Sequence, residues 1–113
     1  MPAQCLFCQF VSGQLPTETV AQNSRAVAFK DINPQAPVHV LVVPREHYAD
    51  VATLAQADPA ALADLVELAQ QVAAELADGQ YRLIFNSGPE AGQSIYHVHG
   101  HVISGTKLGW TPA

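Results

Sequence analysis

One long helical segment separates two groups of short strand-like runs, and the links within each group are too short for parallel crossovers. That combination limits the chain to an antiparallel sheet with a helix laid on one face. The helix is read from its period. Leu62, Leu65, Val66, Ala69, Val72, Ala73 and Leu76 recur every three or four residues and make one apolar face. Asp58 is placed to cap it, Pro59 fits its first position, and Gly79 is expected just past its end. Before the helix come two runs, Thr17–Gln22 and Arg25–Ile32, joined as a hairpin through Asn23 and Ser24. "NPQAP" (33–37) is a rigid turn, and "VHVLVV" (38–43) is a β-branched strand closed by Pro44. After the helix come "YRLIFN" (81–86) and "YHVHGHVIS" (96–104). Residues 5–16 read as a short helical turn and a loop, and 45–56 as a short helix or loop. The expected fold is α+β. The absence of a βαβ series argues against a Rossmann-type domain. "GPEAGQS" is no P-loop, since it lacks the Gly-Lys-Ser/Thr ending and precedes a strand.

The chain has 113 residues and is 49% apolar, which suits one compact domain over residues 1–113 that needs no disulfide to fold. A net charge of −5 with only five Lys and Arg residues argues against gripping a nucleic acid backbone. No window approaches 18 apolar residues, so no membrane span is expected. "MPAQCLFCQF" has no basic region followed by a long apolar run, so no signal peptide is expected. A cytoplasmic, reducing setting follows as the default. There a Cys pair is more often a metal site than a structural disulfide.

His97, His99 and His101 stand at alternate positions, so on a strand all three rings point to one side, with Val98, Gly100 and Val102 on the other. His39 and His47 bracket the earlier strand, and if the two strands are close, all five imidazoles gather in one region. A row of three points to metal or phosphate chemistry. Three histidines and a water make a known catalytic zinc set. But same-face neighbours on a strand repeat every 6.5–7 Å or so, which puts His97 and His101 about 13 Å apart. One ion does not reach all three, and a division of labour along the row is expected. Imidazole also serves phosphoryl transfer directly, one neutral ring as nucleophile and a neighbour as proton donor. Gly92, Gln93 and Ser94 in the loop before the strand, with Asn86, are candidate donors to phosphoryl oxygens.

"AGQSIYHVHGHVIS" resembles the signature of the histidine-triad (HIT) family, His-x-His-x-His with apolar x positions. "DINPQAPVHVLVVPREH" (31–47) and "YRLIFNSG" resemble further segments of that family in the same order, and Trp-x-Pro at 110–112 resembles its C-terminal tail. The nearest branch is that of small nucleotide-binding phosphoramidases. The resemblance implies a five-stranded antiparallel sheet with one long helix, and two chains pairing into a ten-stranded sheet in a homodimer. It implies purine nucleoside monophosphate derivatives as substrates, with His99 as nucleophile and His101 and His39 contacting the phosphate or supporting the nucleophile. Asp31 is implied to bind the ribose hydroxyls. Ile32, Phe7, Phe10 and Phe29 are implied to line the base pocket. Asn86, Gln93 and Ser94 are implied to contact phosphate and leaving group. No metal is implied for catalysis. Two features depart from the pattern: Gly100 takes a position that is bulky and apolar in the family, and "SGTKLGW" lacks an arginine common in the nearest branch.

"CLFC" (5–8) has the Cys-x-x-Cys spacing of a zinc half-site, a redox dithiol or a free pair. A redox motif would follow a strand and open a long helix, which this context lacks. Two cysteines need two more ligands to close a tetrahedral site. The resemblance extends to bacterial family members with a structural zinc, and it implies Cys5, Cys8, His47 and His97 as the ligands. Three functions remain open at this point: nucleotidyl hydrolysis through a covalent histidine, a non-catalytic nucleotide- or partner-binding dimer, and a zinc hydrolase built on the triad.

Overall fold

The computed structural model describes residues 5–110. Thr111 and Pro112, part of the Trp-x-Pro tail, lie outside the described residues. Helix α1 spans Leu6–Ser12, and Cys5 caps it by accepting the Cys8 N–H on its sulfur. Strands β1 (Thr19–Gln22), β2 (Ala26–Lys30) and β3 (Val38–Pro44) follow. Then come helices α2 (Val51–Ala57) and α3 (Pro59–Leu76), and strands β4 (Arg82–Phe85) and β5 (Gly100–Ser104). The strands form one five-stranded sheet in the order β1-β2-β3-β5-β4. Every neighbouring pair is antiparallel. No described helix is long and apolar enough to cross a membrane.

Both faces of the sheet are covered. On one, Ala26, Ala28, Val40, Val42 and Val102 pack against α3 and Leu54 of α2. The other carries Val27, Phe29, Leu41 and Val43 with Phe7 of α1. Asp58 accepts the Ala61 N–H at 3.1 Å and starts α3, with Pro59 behind it as read from the sequence. The buried stripe of α3 is Ala61, Leu65, Leu68, Ala69, Val72 and Ala73. It is therefore rotated from the expected face. Ala61 and Leu68 are inside, whereas Val66 and Leu76 are 39% and 45% exposed. Gly79, at φ 86°, returns its N–H to Ala73 O two residues beyond the cap Ala77. The segment 45–56 resolves into a loop and α2, whose N-cap Asp50 accepts from Thr53 N at 2.9 Å.

The histidine strand is shorter than the sequence implies. Its ladder begins at Gly100, so His97 and His99 precede it. Partners in that stretch are diverted: Pro44 O accepts from the His97 ring at 2.9 Å, and Val98 N donates to Tyr48 O at 2.7 Å. The alternation survives without the ladder: Val98 and Val102 pack in the core under α3, whereas the His97 and His99 rings meet Phe7 of α1. Gly100 is paired with Phe85, and a Cβ there would lie 2.8 Å from Leu83 Cδ1 and 3.1 Å from the Phe85 ring. The glycine is thus the price of laying two β4 side chains across β5. Gly100→Ala is expected to push the tips of Leu83 and Phe85 aside, at a cost near the low end of the roughly 1–3 kcal/mol of overpacking. Denaturant unfolding reads this directly, and an unchanged midpoint would contradict it.

Candidate functional site

Pairing of β3 with β5 brings the histidines together. Ring centroids run His47–His97 at 4.9 Å, His97–Phe7 at 5.9 Å, Phe7–His99 at 4.9 Å, His99–His101 at 5.1 Å and His101–His39 at 5.2 Å. The row has two ends of different chemistry, with His99 between them.

His99 is held by one bond that settles its proton. Its Nδ1 lies 3.0 Å from the carbonyl oxygen of His97. A carbonyl only accepts, so the neutral ring carries its proton on Nδ1 and keeps a lone pair on Nε2. The ring borders a cleft of about 220 Å3. Among the sequence-predicted residues, Phe7, Phe10, Phe29 and Ile32 line this cleft as apolar walls. Asp31, Ser94 and His101 line it as polar ones. Phe7, Phe10 and Phe29 pack on one another at 5.3–6.2 Å. Ile32 stands at the rim, 98% exposed.

At one end of the row, His101 Nδ1 lies 3.0 Å from His39 Nε2, which is 3.3 Å from Asp31 Oδ2. Asp31 Oδ1 accepts the Asn33 N–H at 2.8 Å. His39 is buried behind His101 and does not line the cleft. Burial, helped by the neighbouring His99 and His39, pushes the His101 pKa down to about 4.

At the other end, Cys5, Cys8, His47 and His97 bring four ligand atoms within 4.8 Å of one another. His97 Nε2 donates to Pro44 O at 2.9 Å, which leaves Nδ1 as a lone pair facing both sulfurs at 3.4 Å. His47 Nδ1 is 3.4 Å from Cys8 Sγ. A tetrahedral zinc with bonds of about 2.3 Å to sulfur and about 2.05 Å to nitrogen sets those atoms about 3.5 Å apart. The donor set therefore fits a metal ion such as zinc, and the Pro44 carbonyl orients one of its histidines from behind. The pocket is dry. Burial pushes the His97 ring down to about 4 and the Cys8 thiol up to about 11. A bound dication reverses that preference for the thiols.

The loop donors are placed differently from the sequence reading. Ser94 lines the cleft and is exposed. Gln93 is 4% exposed and fully engaged: its Oε1 accepts from Gly88 N at 2.9 Å, and its Nε2 donates to Ala49 O and Ile95 O at 2.6 and 3.1 Å. Its own N–H goes to Gly88 O, and that of Gly92 to Pro89 O. Asn86 Nδ2 donates to Ala91 O at 2.9 Å. These three residues brace the loop and do not line the cleft.

The HIT domain family pattern matches residues 12–108 of the chain. This is a HIT domain protein. An uncharacterized HIT-like protein of Synechocystis sp. is 37% identical, with 99% of each chain covered. A HIT family hydrolase from Clostridium thermocellum superposes with a TM-score of 0.93 at 38% identity, covering 100% of both chains. A histidine triad nucleotide-binding protein from Candida albicans superposes with a TM-score of 0.81 at 25% identity, covering 97% of this chain and 85% of that one.

In this HIT protein the cleft also takes in Leu6, Thr17, Lys30, Leu41 and Ile95, none of them singled out from sequence. Leu41 was legible in part, because it shares the strand face of His39. The two depressed histidines carry a pH prediction. His97 and His101 bind a proton less readily in the fold than at their ordinary value near 6.5. The unfolded chain therefore takes up more protons between pH 6.5 and 4, and stability falls as pH drops through that window. Denaturant midpoints at pH 7.5, 6 and 5 should fall in that order, and equal midpoints would contradict the burial argument.

Proposed function

We propose that this protein hydrolyses purine nucleoside phosphoramidates, or related nucleotidyl compounds, through a covalent nucleotidyl-His99 intermediate. The observation that carries the reading is the His99 ring itself. Its proton is fixed on Nδ1 by the His97 carbonyl, and its ring borders an aromatic-walled cleft beside Asp31 and His101. The names of its relatives support the class: one is a hydrolase and another a nucleotide-binding protein.

The chain's own residues then divide the work. Phe7, Phe10, Phe29 and Ile32 hold the base, and the Asp31 carboxylate receives a ribose hydroxyl. His99 Nε2 attacks phosphorus and a P–N(His99) bond forms. The bond to the amine breaks, and the amine takes a proton from solvent as it leaves. Water then attacks phosphorus, the P–N(His99) bond breaks, and the nucleoside monophosphate departs with the ring restored. His101 donates to a phosphoryl oxygen, and Ser94 donates to the leaving group. His39 supports His101 from behind. Cys5, Cys8, His47 and His97 would hold a structural zinc. Its four protein ligands leave no position for substrate, so that ion would supply cross-linking and no chemical step. A homodimer would form along β4, an edge strand that among the described residues pairs with β5 alone.

Incubation with adenosine 5′-phosphoramidate should release adenosine monophosphate and ammonia in repeated turnovers. Tight binding of the monophosphate with no release of ammonia would instead favour a non-catalytic nucleotide-binding dimer.

A further inference from the structure

Two hydrogen bonds behind the cleft run in one direction. The main-chain N–H of Gln35 donates to His39 Nδ1 at 3.0 Å. A ring nitrogen that accepts an N–H carries no proton, so the neutral His39 holds its proton on Nε2. That nitrogen lies 3.0 Å from His101 Nδ1. With His39 donating, His101 Nδ1 must accept, and the His101 proton is left on Nε2. His99 is the opposite case, with its proton on Nδ1 against the His97 carbonyl. Two rings 5.1 Å apart are thereby held in opposite tautomers, one offering a lone pair and the other an N–H.

We propose that the main-chain amide of Gln35 is a positioning group that sets the tautomers of His39 and, through it, His101. His101 then presents a fixed neutral Nε2–H to a phosphoryl oxygen and does not act as the acid that protonates the leaving amine. The assignment of that N–H to a phosphoryl oxygen rests on the function proposed above. The tautomers themselves do not.

Asp31 Oδ2 is 3.3 Å from His39 Nε2, on the side where that nitrogen holds its proton. A proton on Nδ1 would set two N–H groups face to face across 3.0 Å. The same amide bears on metal binding. Ligand atoms of Asp31, His39 and His101 lie within 4.8 Å of one another, the outline of a two-histidine, one-carboxylate site. Coordination there needs the His39 Nε2 lone pair, and so a proton on Nδ1 where Gln35 already donates. The sequence of the turn leaves few donors for the task. In "PQAP" (34–37), Pro34 and Pro37 have no N–H, and only Gln35 and Ala36 do.

The test is the imidazole 15N–1H correlation spectrum of the native protein near pH 7.5. His39 and His101 should both be protonated on Nε2 alone, and His99 on Nδ1 alone. A proton on Nδ1 of His39 or of His101 overturns the proposal. Gln35→Ala keeps the amide and should keep these tautomers. Gln35→Pro removes it. The folded variant should show His101 protonated on Nδ1 in a substantial fraction, with kcat lower by roughly 10- to 100-fold and KM within about twofold. A shifted tautomer with unchanged kcat would overturn the positioning role. If the proline variant does not fold, the wild-type spectrum decides alone. A protein with this tautomer pattern and no turnover would refute the proposed function and leave the tautomer assignment standing.

Discussion

His99→Ala is expected to lower kcat for nucleoside phosphoramidates by on the order of 10^4-fold or more while nucleotide affinity changes only severalfold. The large effect follows from what is lost. His99 Nε2 is the lone pair that its Nδ1 hydrogen bond leaves for attack on phosphorus. His101 cannot take over, since its proton sits on Nε2. Binding is spared because the apolar walls belong to other residues, with Phe7 and Phe29 packed at 5.5 Å independently of the histidine. The substitution removes one ring from the Phe7 stack, which accounts for the severalfold term. Steady-state kinetics and calorimetric titration with adenosine monophosphate separate the two effects. A variant that keeps more than a few per cent of wild-type turnover would remove His99 from the chemistry.

Cys8→Ser should abolish metal binding and lower Tm by about 10–20 °C. α1 is seven residues long, too short to hold as a helix without tertiary support. Cys5 and Cys8 join it to His47 beyond β3 and to His97 before β5, residues 39 and 89 positions distant from Cys8. Closing such long loops through one ion contributes several kcal/mol, and each kcal/mol is worth about 3–6 °C in a domain of this size. Phe7 lies between the two cysteines and is 2% exposed, so a loosened α1 also loosens the wall against which His99 rests. Elemental analysis and thermal melts of wild type and variant, with and without chelator, measure the effect. One zinc per chain in the wild type and none in Cys8→Ser is the expected result. Metal-free wild type, or equal melting temperatures, would contradict it.

Local signals carried much of this fold. Asp58, Pro59 and the period of the following residues marked α3, and the β-branched run at 38–43 marked β3. The antiparallel sheet followed from short connections. Strand order was beyond such signals, because β3 meets β5 across more than fifty residues. The stripe of α3 was misplaced by a few residues because Ala61 and Val66 differ in burial through tertiary packing and not through hydropathy. The three histidines were legible as one face, yet two of them precede the strand. Pro44, which has no N–H, gives its carbonyl to the His97 ring, so the ladder does not continue. Gln93 was read as a donor from its chemistry. Its actual partner Ala49 O is 44 positions away in sequence, and no local pattern announces such a contact. The role of Gln35 was invisible for a related reason: the group concerned is a main-chain amide, which every residue except proline possesses.

Intact mass spectrometry after brief mixing with adenosine phosphoramidate and an acid-free quench reads the central claim most directly. Wild type should gain the mass of one adenosine monophosphoryl group, mapping to His99, and His99→Ala should gain none. Turnover of the same substrate with no adduct at any mixing time, or an adduct that persists in His99→Ala, would contradict a nucleophile at this position.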